Sequence, residues 1–168
     1  MATYSNLDPV IELASSVTGI ELKDMQELAA QAVRTTYQPG EWLFHESTPR
    51  NGLGIIEQGE VEIVRGLHGS RTRLATLGRG AMIGEGVLLD SSAHSAGAFT
   101  RQGATVLVIP RQALDELRDR KPEVYYRVVA RVARRISERL RHASEQLAGA
   151  GSQTALGAVR VEHDLLGE

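Results

Sequence analysis

Hydrophobic positions along the chain change period twice. Near the N-terminus Val10, Ile11, Leu13, Ala14 and Val17 follow Asp8-Pro9 at helical spacing and stop at Gly19. Aspartate followed by proline suits an N-cap with proline in the first turn, where its missing N–H costs nothing. Leu22, Met25, Leu28, Ala29 and Ala32 continue at intervals of three and four, which predicts a second amphipathic helix over about 21–33. From Thr35 to Ile109 the rhythm shortens. Runs rich in β-formers are punctuated by Pro39-Gly40, Arg50-Asn51-Gly52, Gln58-Gly59, His68-Gly69, Gly78-Arg79-Gly80 and Gln102-Gly103. Short strands at this spacing predict a small antiparallel barrel or jelly roll, and hence an α+β chain that is mainly β.

The helical period returns at Pro110. A turn over 110–118 precedes Pro122, which opens a long helix reaching about Leu147. Along it Val129, Val132, Ile136, Leu140, Ala143 and Leu147 are spaced 3, 4, 4, 3 and 4, a seam suited to another helix. Packing on the barrel explains such a seam, and so does pairing with a second copy. Its length favours a homodimer through 122–147. Arg131, Arg134, Arg135, Arg139 and Arg141 read as a solvated face. Residues 148–158 turn to Ala, Gly, Ser, Gln and Thr, the composition of a flexible linker. The chain thus divides into N-terminal helices (1–34), a barrel with its long helix (35–147), a linker (148–158) and a closing segment (159–168).

Composition narrows the classes of function. The 168 residues suffice for one domain with a real core. A net charge of −2 carries no basic excess, so DNA is not expected as a partner. No apolar run approaches the ~18 residues of a membrane span, and no charged-then-apolar leader is present. Without cysteine, disulfides and thiolate metal sites are excluded. A cytoplasmic location is expected. The histidines at 45, 68, 94, 142 and 163 lack metal-ligand spacing, so no metal is expected.

The chemistry concentrates in residues 80–96. Gly84 allows close backbone approach to a ligand, and Glu85 offers a carboxylate to sugar hydroxyls. With Gly86 and Val87 they open an apolar turn, and after it come His94 and then Ser95 and Ala96, small residues whose amides suit an anion. Ile83-Gly84-Glu85, eight residues, then His94-Ser95-Ala96 resembles the phosphate-binding cassette of cyclic-nucleotide-binding domains. The likeness extends through Tyr37–Phe44, the hairpin Leu53–Val64, Leu74–Gly80, and Val106–Ile109 with Pro110 and Leu114. It runs in order from about 20 to 147 and implies the effector-domain fold of catabolite-activator-like proteins.

That resemblance implies a ligand such as cAMP or cGMP, with the glutamate on the ribose 2′-hydroxyl and a cassette arginine on the phosphate. Here the arginine position holds His94, Ala93 replaces the usual proline, and Gly97-Ala98 replaces a β-branched pair. A guanidinium is a two-pronged donor charged at every physiological pH, whereas histidine titrates near ~6.5. Losing such a partner costs roughly 2–5 kcal/mol. Arg79 and Arg101 are candidate replacements. Three readings stay open: a cyclic-nucleotide binder with a weaker or pH-sensitive anchor, a pocket for another small anion or nucleotide, and a ligand-free dimerisation or contact domain. Ser91, Ser92 and Ser95 neighbour His94, but no third group completes a catalytic set, so no catalytic residue is assigned.

The closing Val159–Glu168 fits none of this. Arg160, Glu162, Asp164, Gly167 and Glu168 resemble the opening of the aspartase/fumarase superfamily, and the Asp-Leu-Leu-Gly wording is nearest aspartate ammonia-lyases. It implies a regulatory segment fused to a lyase. With ten residues after the linker, no helix-turn-helix is expected, which again argues against DNA binding.

Overall fold

The apolar runs Leu53–Ile56 and Val106–Ile109 are continuous because the sheet they form is covered on both faces. A computed structural model describes residues 8–66 and 70–164, with side chains over 9–66 and 70–149. The predicted His68-Gly69 turn lies outside the described residues. The elements are α1 (Asp8–Thr18), α2 (Leu22–Ala29), β1 (Val33–Tyr37), β2 (Trp42–Phe44), β3 (Gly52–Gly59), β4 (Val61–Arg65), β5 (Thr72–Leu77), β6 (Met82–Ile83), a 3-10 turn (Glu85–Leu88), β7 (Gly97–Phe99), β8 (Ala104–Pro110), α3 (Arg111–Arg120) and α4 (Pro122–Asp164).

The strands form two antiparallel four-stranded sheets, β1-β8-β3-β6 and β2-β7-β4-β5. Of the expected antiparallel barrel or jelly roll, the barrel is corrected: the two sheets do not close on one another, and the arrangement is compatible with a jelly-roll-like sandwich. The physical reason lies at the sheet edges: strands β2 and β6 have only three and two residues, too short to carry a ladder around the corners. Paired backbone bonds prolong the two short pairings within their own sheets. Beside β2–β7, Gly40 N–H donates to the Thr100 carbonyl at 2.9 Å and Thr100 N–H to the Glu41 carbonyl at 3.0 Å. Beside β3–β6, Gly80 N–H donates to the Ile56 carbonyl at 2.8 Å and Ile56 N–H to the Ala81 carbonyl at 3.0 Å.

Ile56, Val61, Ile83, Ala98, Ala104 and Val106 fill the space between the sheets. On the opposite face of the first sheet, Leu53, Ile55, Leu107 and Ile109 are buried where α2 and α3 pack against β3 and β8. Among the described residues the second sheet has no such cover, and β5 is exposed along most of its length.

Helix α2 stops four residues before the periodicity predicts, because Val33–Tyr37 is taken up as β1 on β8. Pro122 opens α4 as expected. Its first turns dock on the N-terminal helices: Arg127 forks onto the buried Asp24 carboxylate with both N···O distances 2.7 Å. Those hydrogen bonds hold Asp24 below the usual carboxylate range. Arg131, read as solvated, instead lies over Gly19, with its Nε donating to the Thr18 carbonyl at 3.3 Å.

Residues up to Val132 form one compact unit and those from Ala133 a second, purely helical among its described residues. The α4 backbone continues to Asp164, across the 148–158 segment whose composition predicts a linker. The side chains of 150–168, including all of the lyase-like segment, lie outside the described residues. No helix among the described residues is long and apolar enough to cross a membrane.

Candidate functional site

Gly84 turns the chain out of β6 with φ 71° and ψ 19°, the left-handed region that glycine enters without strain. A Cβ there would lie 3.1 Å from the Gly52 carbonyl oxygen and 3.8 Å from Cε1 of His94. The chain then enters the 3-10 turn, which Glu85 heads half-buried and in which Val87 and Leu88 are buried. The first N–H groups of such a turn have no partner inside it and point toward whatever lies ahead. A long hydrogen bond of 3.4 Å from the Tyr125 hydroxyl to the Leu88 carbonyl ties the end of this turn to the first turns of α4.

His94 is only 7% exposed. Its ring stacks on Phe44, centroids 3.8 Å apart and planes 10° from parallel. Its backbone is zipped to the β2–β3 loop, His94 N–H to the Thr48 carbonyl at 2.9 Å and Ser47 N–H back to the His94 carbonyl at 2.8 Å. Burial, and then the positive charge of Arg50, hold the imidazole below its ordinary pKa. Near neutral pH the residue in the arginine's place is therefore an uncharged, stacked ring.

A cavity of about 340 Å³ opens between the sheets beside it, lined by His94, Phe44, Tyr37, Gly54, Ile83, Val106 and neighbouring residues. That volume lies within the range of small-molecule sites. Of the candidate ligand contacts Gly84, Glu85, Gly86, Val87, His94, Ser95 and Ala96, His94 alone lines it. Gly84 abuts His94, while Gly86 faces away toward Arg50, and Ser95 (exposed) and Ala96 (half-buried) follow His94 into β7.

Neither replacement guanidinium expected from sequence is at the site. Arg101 forks onto Glu62 at 3.1 and 3.2 Å, and Arg79 lines a separate surface hollow with Arg34, Glu57 and Gln58. The cation beside the cassette is Arg50, which sequence reading took only as part of a turn. Its Nη1 donates to the Gly86 carbonyl at 3.0 Å and also binds Asp90. Gly86 was the available signal: a Cβ there would lie 2.5 Å from the Arg50 guanidinium carbon. A side chain at 86 and the guanidinium of Arg50 exclude one another.

The lowered pKa of His94 has a defined consequence. The unfolded imidazole titrates near ~6.5 and the folded one lower, so over that interval the unfolded chain binds more protons. The stabilisation is present above about pH 6.5 and lost as pH falls through the folded pKa. His94→Phe, which keeps an aromatic ring on Phe44, is expected to flatten this acid limb in urea midpoints measured from about pH 7.5 down to 5.5. Parallel pH profiles for the two proteins would contradict a buried neutral histidine.

Comparison with known proteins agrees with this geometry. Residues 34–121 match the family described as cyclic nucleotide-binding domain. The chain is 32% identical over 106 residues to the cyclic AMP receptor protein of Thermus thermophilus, covering 62% of this chain and 49% of that protein. The chain thus spans about half the length of that relative. It is 29% identical over 178 aligned positions to the CRP-like cAMP-activated global transcriptional regulator of Mycobacterium tuberculosis, covering 96% of this chain and 80% of the relative. A crystal structure of a cyclic nucleotide-binding domain from Methylobacillus flagellatus superposes with TM-score 0.70 at 22% identity, covering 83% of each chain, a likeness of fold. Residues 34–121 hold the sandwich and the cassette turn, and with them matched by that family's model the chain belongs to the cyclic nucleotide-binding domain family.

Proposed function

We propose that this chain is a regulatory module that binds a cyclic nucleotide between the 84–96 cassette and the sandwich cavity, and passes the binding event to α4. The observation that carries this reading is the junction at Leu88. The same 3-10 turn that starts with Gly84-Glu85 ends on a carbonyl bonded by Tyr125 of α4. A ligand drawing the turn inward changes the seat of that helix. It shifts the equilibrium only by its differential affinity for the two states, so a site lacking the usual arginine supports a modest switch.

The relatives, a cyclic AMP receptor protein and a cAMP-activated regulator, make cAMP the first ligand to test. Calorimetry with cAMP and cGMP is expected to give saturable binding near neutral pH. Absence of heat from a folded sample, with either nucleotide, would leave dimerisation or enzyme contact as the function. For the homodimer through 122–147, the support is the uncovered far end of the seam: Leu140 is 64% and Leu147 75% exposed, whereas Val132 nearer its start is buried. Light scattering is expected to report twice the chain mass, and Leu140→Glu to shift it toward the monomer.

The lyase-like wording of Val159–Glu168 supports, as a further part of this reading, a regulatory segment joined to an aspartate ammonia-lyase. Sequencing the transcript beyond codon 168 tests this directly, since a fusion requires the frame to continue into a lyase chain.

A further inference from the structure

The cavity beside His94 carries no ionic side chain: no lysine, arginine, aspartate or glutamate lines it among the described residues. Its walls are Leu43, Phe44, Ile83, Val106 and Val108, which belong to the apolar filling between the sheets. Gly54 leaves those walls in place. A Cβ there would lie 2.7 Å from Cγ1 of Ile83 and 2.9 Å from Cγ1 of Val106, so a side chain at 54 would displace both.

Two polar side chains line this apolar space without a partner. The Tyr37 hydroxyl and the His94 ring nitrogens make no hydrogen bond among the described residues. No side-chain nitrogen or oxygen sealed from solvent among those residues lacks a partner, so these atoms are open to solvent. With His94 only 7% exposed, the opening is the cavity it lines. Burial first, and then the charge of Glu41, raises the Tyr37 pKa and keeps the phenol protonated. Near neutral pH the imidazole is uncharged as well, and each group then offers one donor and one acceptor.

Such a lining discriminates by charge. A phosphodiester moved into it loses its water and meets no cation, a cost that a neutral group does not incur. Arg50, whose charge is felt at His94, is paired with Asp90 and lies outside the lining. A nucleobase suits the space instead, being planar, uncharged, apolar on its faces and supplied with donors and acceptors along its edge.

We propose that the cavity receives the uncharged base of the nucleotide, meeting the Tyr37 hydroxyl and the His94 imidazole, while the phosphate stays outside it in water. This deepens the function proposed above and rests on it. It makes the base, rather than the phosphate, the main source of affinity. It also gives the histidine at 94 a use: its neutral ring is a poor phosphate partner and a good partner for a base.

Adenosine separates the two parts of the ligand, because it keeps the base and ribose of cAMP and lacks the phosphate. Both are titrated calorimetrically into the 168-residue chain and its Tyr37→Phe variant, with thermal melts confirming that each protein is folded. Adenosine is expected to bind within about 10-fold of cAMP, since a phosphate left in water contributes little. Tyr37→Phe keeps the ring in the core and removes only the unpartnered hydroxyl. It is expected to leave the melting temperature near that of wild type and to weaken both ligands by one common factor of about 3- to 10-fold. Three results overturn the base placement while the nucleotide-binding reading stands: cAMP binding with adenosine weaker by more than about 10-fold, Tyr37→Phe weakening cAMP alone, or Tyr37→Phe changing neither affinity. Binding of adenosine without binding of cAMP upholds the placement and removes the cyclic nucleotide as the ligand. Failure of both to bind the folded chain removes the nucleotide-binding reading, and the placement with it.

Discussion

Leu107→Ala is expected to lower the unfolding free energy by about 3 kcal/mol, within the general span for large-to-small changes in closed cores. Leu107 is fully buried on β8, whose backbone pairs with Arg34 of β1 on one side and Ile55 of β3 on the other. Strand β8 is pinned from both edges, so the backbone cannot collapse into the space left by the missing atoms. The urea midpoint is expected to fall with little change in slope. Leu74→Ala on exposed β5 is the control, expected within about 0.5 kcal/mol of wild type. Equal losses at the two positions would mean that the helical layer over β3 and β8 contributes no packing of its own.

That contrast bears on which parts of the fold were readable from sequence. The turn signals at Pro39-Gly40, Gln58-Gly59 and Gln102-Gly103 each fall at the end of a real strand, and Pro122 opens α4, because each reflects a backbone constraint local to one or two residues. Closure of the barrel was not readable. It depends on whether edge strands as short as β2 and β6 find partners around a corner, a non-local matter that alternation along one strand does not encode. The end of α2 failed for a related reason. Ala32 continues a helical period, yet Val33–Tyr37 gains a full ladder on β8, and tertiary pairing overrides the local pattern.

At the site, order along the chain revealed the cassette, since glycine, glutamate and the small pair sit within one loop. Charge placement was less accessible. Arg79 and Arg101 were plausible from proximity in sequence, but strand geometry sends one to Glu62 and the other to a separate hollow. Arg50 stands 36 residues from the carbonyl it binds, and only folding brings the β2–β3 loop over Gly86. The change from Arg to His at 94 was legible as a loss of charge. Its stacking on Phe44 was not, because that needs the register between β2 and β7.

The sharpest functional expectation falls on Glu85. Family resemblance assigns this carboxylate to the ribose 2′-hydroxyl, and the structure places it half-buried at the head of the 3-10 turn, already engaged within the protein. A carboxylate accepting a hydrogen bond from a neutral hydroxyl contributes roughly 1.5–3 kcal/mol, so Glu85→Ala is expected to weaken cAMP binding about 10- to 100-fold. Loss of affinity alone does not separate a ligand contact from a loosened turn, and ligand chemistry supplies the second dimension. Wild type is expected to bind 2′-deoxy-cAMP about as weakly as Glu85→Ala binds cAMP. Glu85→Ala is expected to bind the two nucleotides equally, because the hydroxyl and its acceptor form one interaction and removing either removes it. If the variant still prefers cAMP over its deoxy form by the wild-type ratio, another group holds the 2′-hydroxyl. Glu85 then serves the cassette turn alone, and its melting temperature should fall in step with its affinity.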